Sequence, residues 1–358
     1  MKILDFYIIR KFLGTFFFAI ALVIAIAIIF DISEKIDDFV QSKAPIKEIV
    51  FKYYLNFIPW FTNLFTPLFT FIAVIFFTAK MAMQTEIIAT YASGVSFRRM
   101  LVPYMISAFV IALLNFYLNG WVIPPSNKVR LQFEAQYVHN SKDFQSRNKH
   151  LQVSPGLYAY FEFFSSHDQS GNNFTMEKIE DGKVTYKFTA SRMRYDSLKN
   201  TWQAHDYFVR RTDGMNENIY RKMSLDTTFN FKPADFIQEF YKKETMNNPE
   251  LDRFIESQKM KGSENIEDSY VEKYRRISIP FATFILTIIG VCLSSRKSRG
   301  GIGIQVGLGL ALSFTYILFM KIFETFALSG SMPSLLAVWT PNIIYGVVAM
   351  VLLRFSQR

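Results

Sequence analysis

Long apolar runs with few or no charges divide the chain into three parts. They fall at about 12–32, 57–79 and 101–123, and again at about 277–293, 302–327 and 335–353. Each is long enough to cross a hydrocarbon core of about 30 Å at 1.5 Å rise per residue. Inside lipid the backbone must satisfy its own hydrogen bonds, and runs without barrel alternation do so as helices. The pattern predicts a polytopic α-helical membrane protein of six spans, three plus three, around a polar middle. The first run exceeds the apolar core of a cleavable leader. Asp31, Glu34, Asp37 and Asp38 follow it in place of a small-x-small site, so it reads as a span.

In the middle the period changes to two. Leu157, Ala159, Phe161 and Phe163 share one face of a strand, and Val184, Tyr186, Phe188 and Ala190 share one face of another. After Ala190 the phase flips: Met193 and Tyr195 are apolar, while Arg192 and Arg194 hold the old register. That predicts a bulge or bend near Ser191. Further strands are expected at about 202–210 and 219–231, with turns at Gly171-Asn172, Asp181-Gly182 and Asp213-Gly214. Together they suggest an antiparallel sandwich or open barrel. A helix follows, with Asn248 as cap, Pro249 in its first turn and Gly262 as its stop. The expected division is a membrane half at 1–123, an inserted β domain with helical return at 124–276, and a second membrane half at 277–358.

Charge gives this pattern a direction. The net charge is +10, from 40 Lys+Arg and 30 Asp+Glu. Lys2, Arg10 and Lys11 precede the first span. Lys80, Arg98 and Arg99 separate the second and third, Arg296, Lys297 and Arg299 the fourth and fifth, and Arg354 and Arg358 follow the sixth. All four groups lie on one side of a six-span count. On the other side 328–334 is uncharged, and Lys35, Lys43, Lys47 and Lys52 are balanced by acids. The positive-inside rule then places both termini in the cytoplasm and 124–276 outside it. The surplus of cations is a topology signal, and no nucleic-acid partner is expected.

The chemistry-bearing motifs of an enzyme are missing. There is no G-x-x-x-x-G-K-[ST], and the glycines at 301–307 miss G-x-G-x-x-G by one residue inside an apolar run. His139, His150, His167 and His205 are scattered through the middle without metal-ligand spacing. The single cysteine, Cys292, excludes a disulfide scaffold and reads as packing within a span. No catalytic or metal-ligating residue is assigned and no bound cofactor is expected. Energy for transport would have to come from a partner.

Three patches resemble the LptF/LptG family of lipopolysaccharide-export permeases. One is Leu4-Asp5-x-Tyr7-Ile8. The second joins Pro59 and Pro67 to the stretch from Glu86 through Ala89, Ala92, Ser93 and Gly94 to Ser96. The third is Arg276-x-x-x-Pro280 with Trp339-Thr-Pro341-Asn342. The first patch and the compact outer domain lean toward the LptG branch. The resemblance implies a jellyroll-like periplasmic domain and a place in the inner membrane of a Gram-negative cell. It implies a homologous permease as heterodimer partner and a cytoplasmic ATPase dimer that holds ATP and Mg. It further implies a single-pass bridge protein of the LptC type, with lipopolysaccharide as cargo.

Each candidate residue has a functional and an ordinary reading. A cytoplasmic helix is expected at about 81–93, with Gly94 as its stop and Ser96 capping the next span. By resemblance, Glu86 and Ala89 would enter a groove of the ATPase; otherwise Glu86 is a solvated carboxylate. Lys321 and Glu324 would meet lipid A phosphates or form a structural pair reaching for the interface. Lys35 lies where the family places basic residues near a lateral gate, although acids surround it here. Phe161, Phe163, Tyr186 and Phe188 would line an acyl-chain trough, or simply form a core. Gly303 and Gly307 would let another helix approach closely. A non-transporting scaffold with a partner-binding outer domain is the alternative. An intramembrane lipid-modifying enzyme lacks an acid, base or metal cluster.

Overall fold

The apolar runs fold as helices, and the first three continue well past the lipid-spanning length. In a computed structural model these are α1 (Ile3–Gln41), α2 (Ile46–Met83), α3 (Glu86–Ala92), α4 (Phe97–Tyr137), α5 (Asn248–Met260), α6 (Ile266–Ser294), α7 (Gly301–Leu328) and α8 (Ser334–Ser356). All except α3 and α5 are long and apolar enough to cross a membrane. The structure describes residues 3–138, 145–165, 168–180, 182–197, 199–213, 216–233, 243–260, 266–296 and 301–356. Lys2, His139, His167, Asp181, Gly214, Gly262, Lys297, Arg299 and Arg358 lie outside the described residues. The chain divides into two compact units. One comprises Met1–Val138, Lys243–Leu251 and Glu267–Arg358, and the other His139–Lys242 and Asp252–Ile266.

In the helical unit α2 is central. Ile8, Phe12, Phe16 and Ile20 recur every fourth residue along α1 and pack on Phe69, Ala73, Val74 and Phe77 of α2, with Tyr104 and Ile111 of α4. Phe71 and Ile75, also on α2, join Ala282, Leu286 and Ile289 of α6, Tyr316 of α7 and Tyr345 of α8. A Cβ on Gly290 would stand 2.8 Å from the Val74 side chain, and one on Gly309 would collide with Ile75. These are the glycines that close packing requires. By contrast, Gly303 and Gly307 face open space, so among the described residues no other helix packs on the expected small-residue seam.

Both α2 and α4 contain a widened π turn, at Ile49–Tyr54 and Leu118–Val122. Such turns let adjacent residues share one face, and Tyr53 and Tyr54 are both buried. After its π turn α4 runs on through Pro124 and Pro125, which occupy first-turn positions where a missing N–H costs little. Residues 124–137 therefore continue the membrane helix instead of opening the β domain. Asn342 ties three helices together: its Oδ1 accepts from Tyr316 Oη at 2.8 Å, and its amide donates to the backbone and hydroxyl oxygens of Ser278.

The second unit holds β1 (Gln145–Ser154), β2 (Leu157–Ser165), β3 (Ser170–Glu180), β4 (Lys183–Asp196), β5 (Thr201–Asp213) and β6 (Asn216–Thr227). The strands form one antiparallel up-and-down sheet in chain order. The sequence suggested a sandwich or open barrel; the described strands make a single meander. Gly171 and Asn172 lie inside β3, not at a turn, and a Cβ on Gly171 would strike the Phe161 ring.

The bend expected near Ser191 is present and is one part of a crease. Pairing skips one position at a time, from Phe161↔Phe174 to Phe163↔Asn172, from Phe174↔Ala190 to Asn172↔Arg192, and from Ala190↔Tyr207 to Arg192↔His205. Buried residues on these strands are three apart across it: Phe161 and Phe164, Gly171 and Phe174, Ala190 and Met193, Ala204 and Tyr207. Asn173 and Asp206 take φ of 52° and 49° on this line. The register is the same on both sides of the crease, so no strand gains a residue on its neighbour; one unpaired position in each strand reverses the inward phase of all of them together.

Asn247, not Asn248, caps α5. The Glu250 carboxylate accepts from the Asn247 N–H at 3.1 Å, and Asn247 O takes the first helical bond from Leu251.

Candidate functional site

A sharp reversal between α2 and α4 builds the first site. Thr85 adopts φ +63°, which stops α2 at Met83 and starts α3 at Glu86. Met81 to Met83 therefore belong to α2, and the expected 81–93 helix is shorter. Gly94 at φ +86° ends the turn, and Ser96 Oγ accepts from the Arg99 N–H at 3.3 Å. Ile87 is buried, Glu86 is half-buried, and Ile88, Ala89, Gly94 and Ser96 are exposed.

Two side chains from the start of α1 reach this reversal. Tyr7 Oη donates to Glu86 Oε2 at 3.0 Å and lies 3.3 Å from Oε1. Arg99 donates through both terminal nitrogens to the two Asp5 oxygens, at 2.7 and 2.8 Å, while Asp5 is only 4% exposed. This forked geometry is the strong form of a charge-assisted pair. Neither partner was legible in the sequence, because the bonded residues are 79 and 94 positions apart.

At the far end of α1, Lys35 is already occupied. Its Nζ lies 2.9 Å from Asp31 and 3.7 Å from Glu134, bonds Tyr53 Oη, and sits over the Tyr53 ring. Tyr54 Oη donates to Asp31 at 3.0 Å, Arg130 pairs with Glu134 at 3.4 Å, and Arg130 covers the Trp60 ring. Of the acids the sequence set around Lys35, Asp31 is the one that meets it; Glu34 and Asp37 are exposed. Of the partners the sequence analysis missed, Arg130 and Glu134 carried a local signal, an i,i+4 spacing like that of Asp31 and Lys35.

A second charge cluster lies on α6 and the turn before α5. Buried Arg276 donates to Glu272 at 3.0 Å, to Asn248 Oδ1 at 2.9 Å and to the Lys243 carbonyl at 3.0 Å. Asn248, released from capping, supplies that acceptor. Burial, then repulsion from Glu272, pushes the Glu244 carboxyl above its ordinary range against Arg275, Lys243 and Arg130. The Lys321–Glu324 pair forms at 2.8 Å, and Arg275 approaches the same Glu324 at 3.8 Å. Lys321 is 58% exposed at its side chain, whereas Lys35 is 20% exposed.

In the sheet unit Phe161 and Phe188 are buried as expected, and Tyr186 is half-buried on the same cluster. Phe163 is not in it: Phe164 is buried instead, because the crease moves the inward position by one. Phe229 and Phe231, stacked at 5.0 Å, cover Phe174 and Phe188, and Trp202 Nε1 donates to the Phe231 carbonyl at 3.1 Å. The apolar face is thus filled by the chain's own aromatic side chains.

A family model described as "Lipopolysaccharide export system permease LptF/LptG" matches residues 6–354. The match covers nearly the whole chain and does not separate the two branches. No curated protein matches the sequence.

Proposed function

Because the chain belongs to the LptF/LptG family of lipopolysaccharide export permeases, we propose that it is one permease subunit of an ATP-driven lipopolysaccharide extractor. It is an inner-membrane protein and a permease component of a transporter. In the proposed assembly it pairs with a homologous permease, rests on a cytoplasmic ATPase dimer that binds ATP and Mg, and meets a single-pass bridge protein of the LptC type. The distribution of cations supports cytoplasmic termini and a periplasmic sheet.

The observation that carries this reading is the family match through both helical halves and the sheet. The geometry of α3 supports the coupling part. A short helix between two spans presents Ile88 and Ala89 outward, with the Glu86 carboxylate at its start. ATPase closure pushes α3, the spans repack as a two-state gate, and the amphiphile is squeezed toward the sheet. Lys35 is neutralised by its neighbours, so Lys321 is the better candidate for lipid phosphates. Acyl chains moving over the sheet would displace Phe229 and Phe231.

Reconstitution in liposomes with a candidate ATPase, homologous permease and bridge protein tests this. ATP-dependent release of lipopolysaccharide is expected, and its absence from an assembled, ATP-hydrolysing complex overturns the reading. Glu86→Lys should cut ATPase copurification at least tenfold, equivalent to about 1.4 kcal/mol, with unchanged expression. Normal recovery would remove the docking role.

A further inference from the structure

The Asp5-x-Tyr7 patch has no role in the coupling scheme, yet both of its polar residues end on the coupling segment. Tyr7 bonds the Glu86 carboxylate at one end of α3, and Asp5 holds Arg99 just beyond the other end. The helix between them has seven residues. A helix that short is marginal by itself in water, so whatever makes α3 stiff enough to transmit a push lies outside it. The described contacts supply the polar part of this from α1, through the two bonds, and Ile87 is buried in a cluster that Ile8 and Phe12 share with Phe77, Met81 and Ala82 of α2 and Met100 and Tyr104 of α4. Above them the apolar stripe of α1 continues to Ile20, and the same helix ends in the Asp31–Lys35 cluster. One 39-residue helix therefore connects the coupling segment to the opposite charge cluster.

Resting on the permease reading, we propose that Tyr7 and Asp5 are positioning residues that lock the Glu86 helix to α1, making α1 the lever that a partner's push on α3 moves. Tyr7 also fixes the orientation of the Glu86 carboxylate without neutralising it, which leaves its charge for a cationic partner. Ser96 and Gly94 shape the reversal, and the Asp5–Arg99 fork prevents it from rotating away from α1. The two bonds act in parallel: the loss of either loosens α3, and the loss of both frees it.

Two readouts on the full chain test the clamp. In detergent, Tyr7→Phe and Asp5→Asn should each speed amide exchange across 86–92 about tenfold, the effect of one lost bond to a charged group. Exchange in the sheet should not change. Unchanged exchange at 86–92 overturns the clamp whether or not any partner binds. In the reconstituted complex, Tyr7→Phe should retain ATPase recovery but lower lipopolysaccharide released per ATP hydrolysed by about tenfold. The charge swap Asp5→Arg with Arg99→Asp should restore release that Asp5→Arg alone abolishes. Faster exchange with release per ATP unchanged makes the contact merely structural and overturns the lever. A parent chain that recruits no ATPase defeats the permease reading, while the exchange measurement still decides the clamp.

Discussion

In the helical unit Phe17, Phe18, Phe30 and Phe314 point outward, while Asn342, Glu272 and Arg276 are buried. In the sheet unit Phe161, Phe174 and Trp202 are buried, while Arg192, Arg194 and Arg221 are exposed. Each unit is sorted for a different solvent. Against lipid tails an apolar helix face gains little by burial, so polar bonds and close packing select which helices meet. Against water the sheet is held by removing aromatic area, and its polar exterior is close to neutral. Single-site changes should therefore hurt the two units by different mechanisms.

The largest expected effects lie at the two centres. Phe174→Ala should cost the sheet unit about 3–5 kcal/mol through transfer and cavity terms, read as loss of protease resistance at 145–227 on heating. Arg276→Met keeps the apolar volume but leaves Asn248 Oδ1 and the Lys243 carbonyl without their donor, and Glu272 with one cation fewer. It should cost the helical unit about 3 kcal/mol, read as a lower melting temperature in detergent. If Arg276→Met were neutral while Phe174→Ala was severe, apolar packing would hold both units and the contrast would fail.

Gly171→Ala sharpens the comparison at smaller scale. The added methyl would meet the Phe161 ring and lie 2.8 Å from the Phe163 carbonyl, so about 1–3 kcal/mol of overpacking is expected. Gly307→Ala, with open space around its Cβ, should leave the isolated chain unchanged. Equal losses at both sites would contradict the packing described.

The smallest expected effect is a difference in pH response. The Glu244 carboxyl is raised in the folded state, so folding favours its protonated form. Its contribution worsens as pH rises through the window above the ordinary glutamate value. Asp206 is lowered, mainly by its bonds from Arg221. Its contribution is present above the ordinary aspartate value and is lost as pH falls through its depressed one. Glu244→Gln should flatten the pH response of the helical unit, and Asp206→Asn that of the sheet unit at acid pH. Exchange profiles between pH 3 and 7 would check both; an identical slope in parent and variants removes the assignment.

Much of the fold could be read from the sequence because lipid length and strand alternation write directly into hydropathy. The six spans and the phase flip beside Ser191 were both legible in this way. Helix ends were not, since Pro124-Pro125 reads as a breaker but sits in a first turn following a π turn. Phe163 was assigned inward where Phe164 is buried: with aromatic residues at both positions, period two cannot say where the phase flips. The candidate sites were half legible. Glu86, Gly94 and Ser96 stand together in the chain, and Lys321 and Glu324 share a helix face. Tyr7, Arg99 and Glu134 become partners only through the tertiary fold, and no local periodicity encodes a meeting of residues 79 or 94 positions apart.

The crease through Asn173, Ser191 and Asp206 carries a consequence for how this domain can vary. Because the irregular positions lie on one line, a residue added to a single strand between hairpin and crease would turn the outer half of that strand inside out against unaltered neighbours. Hairpin tips can lengthen freely. The stretches between fold line and tip can change only in concert, so they should keep constant length among relatives even where their side chains diverge.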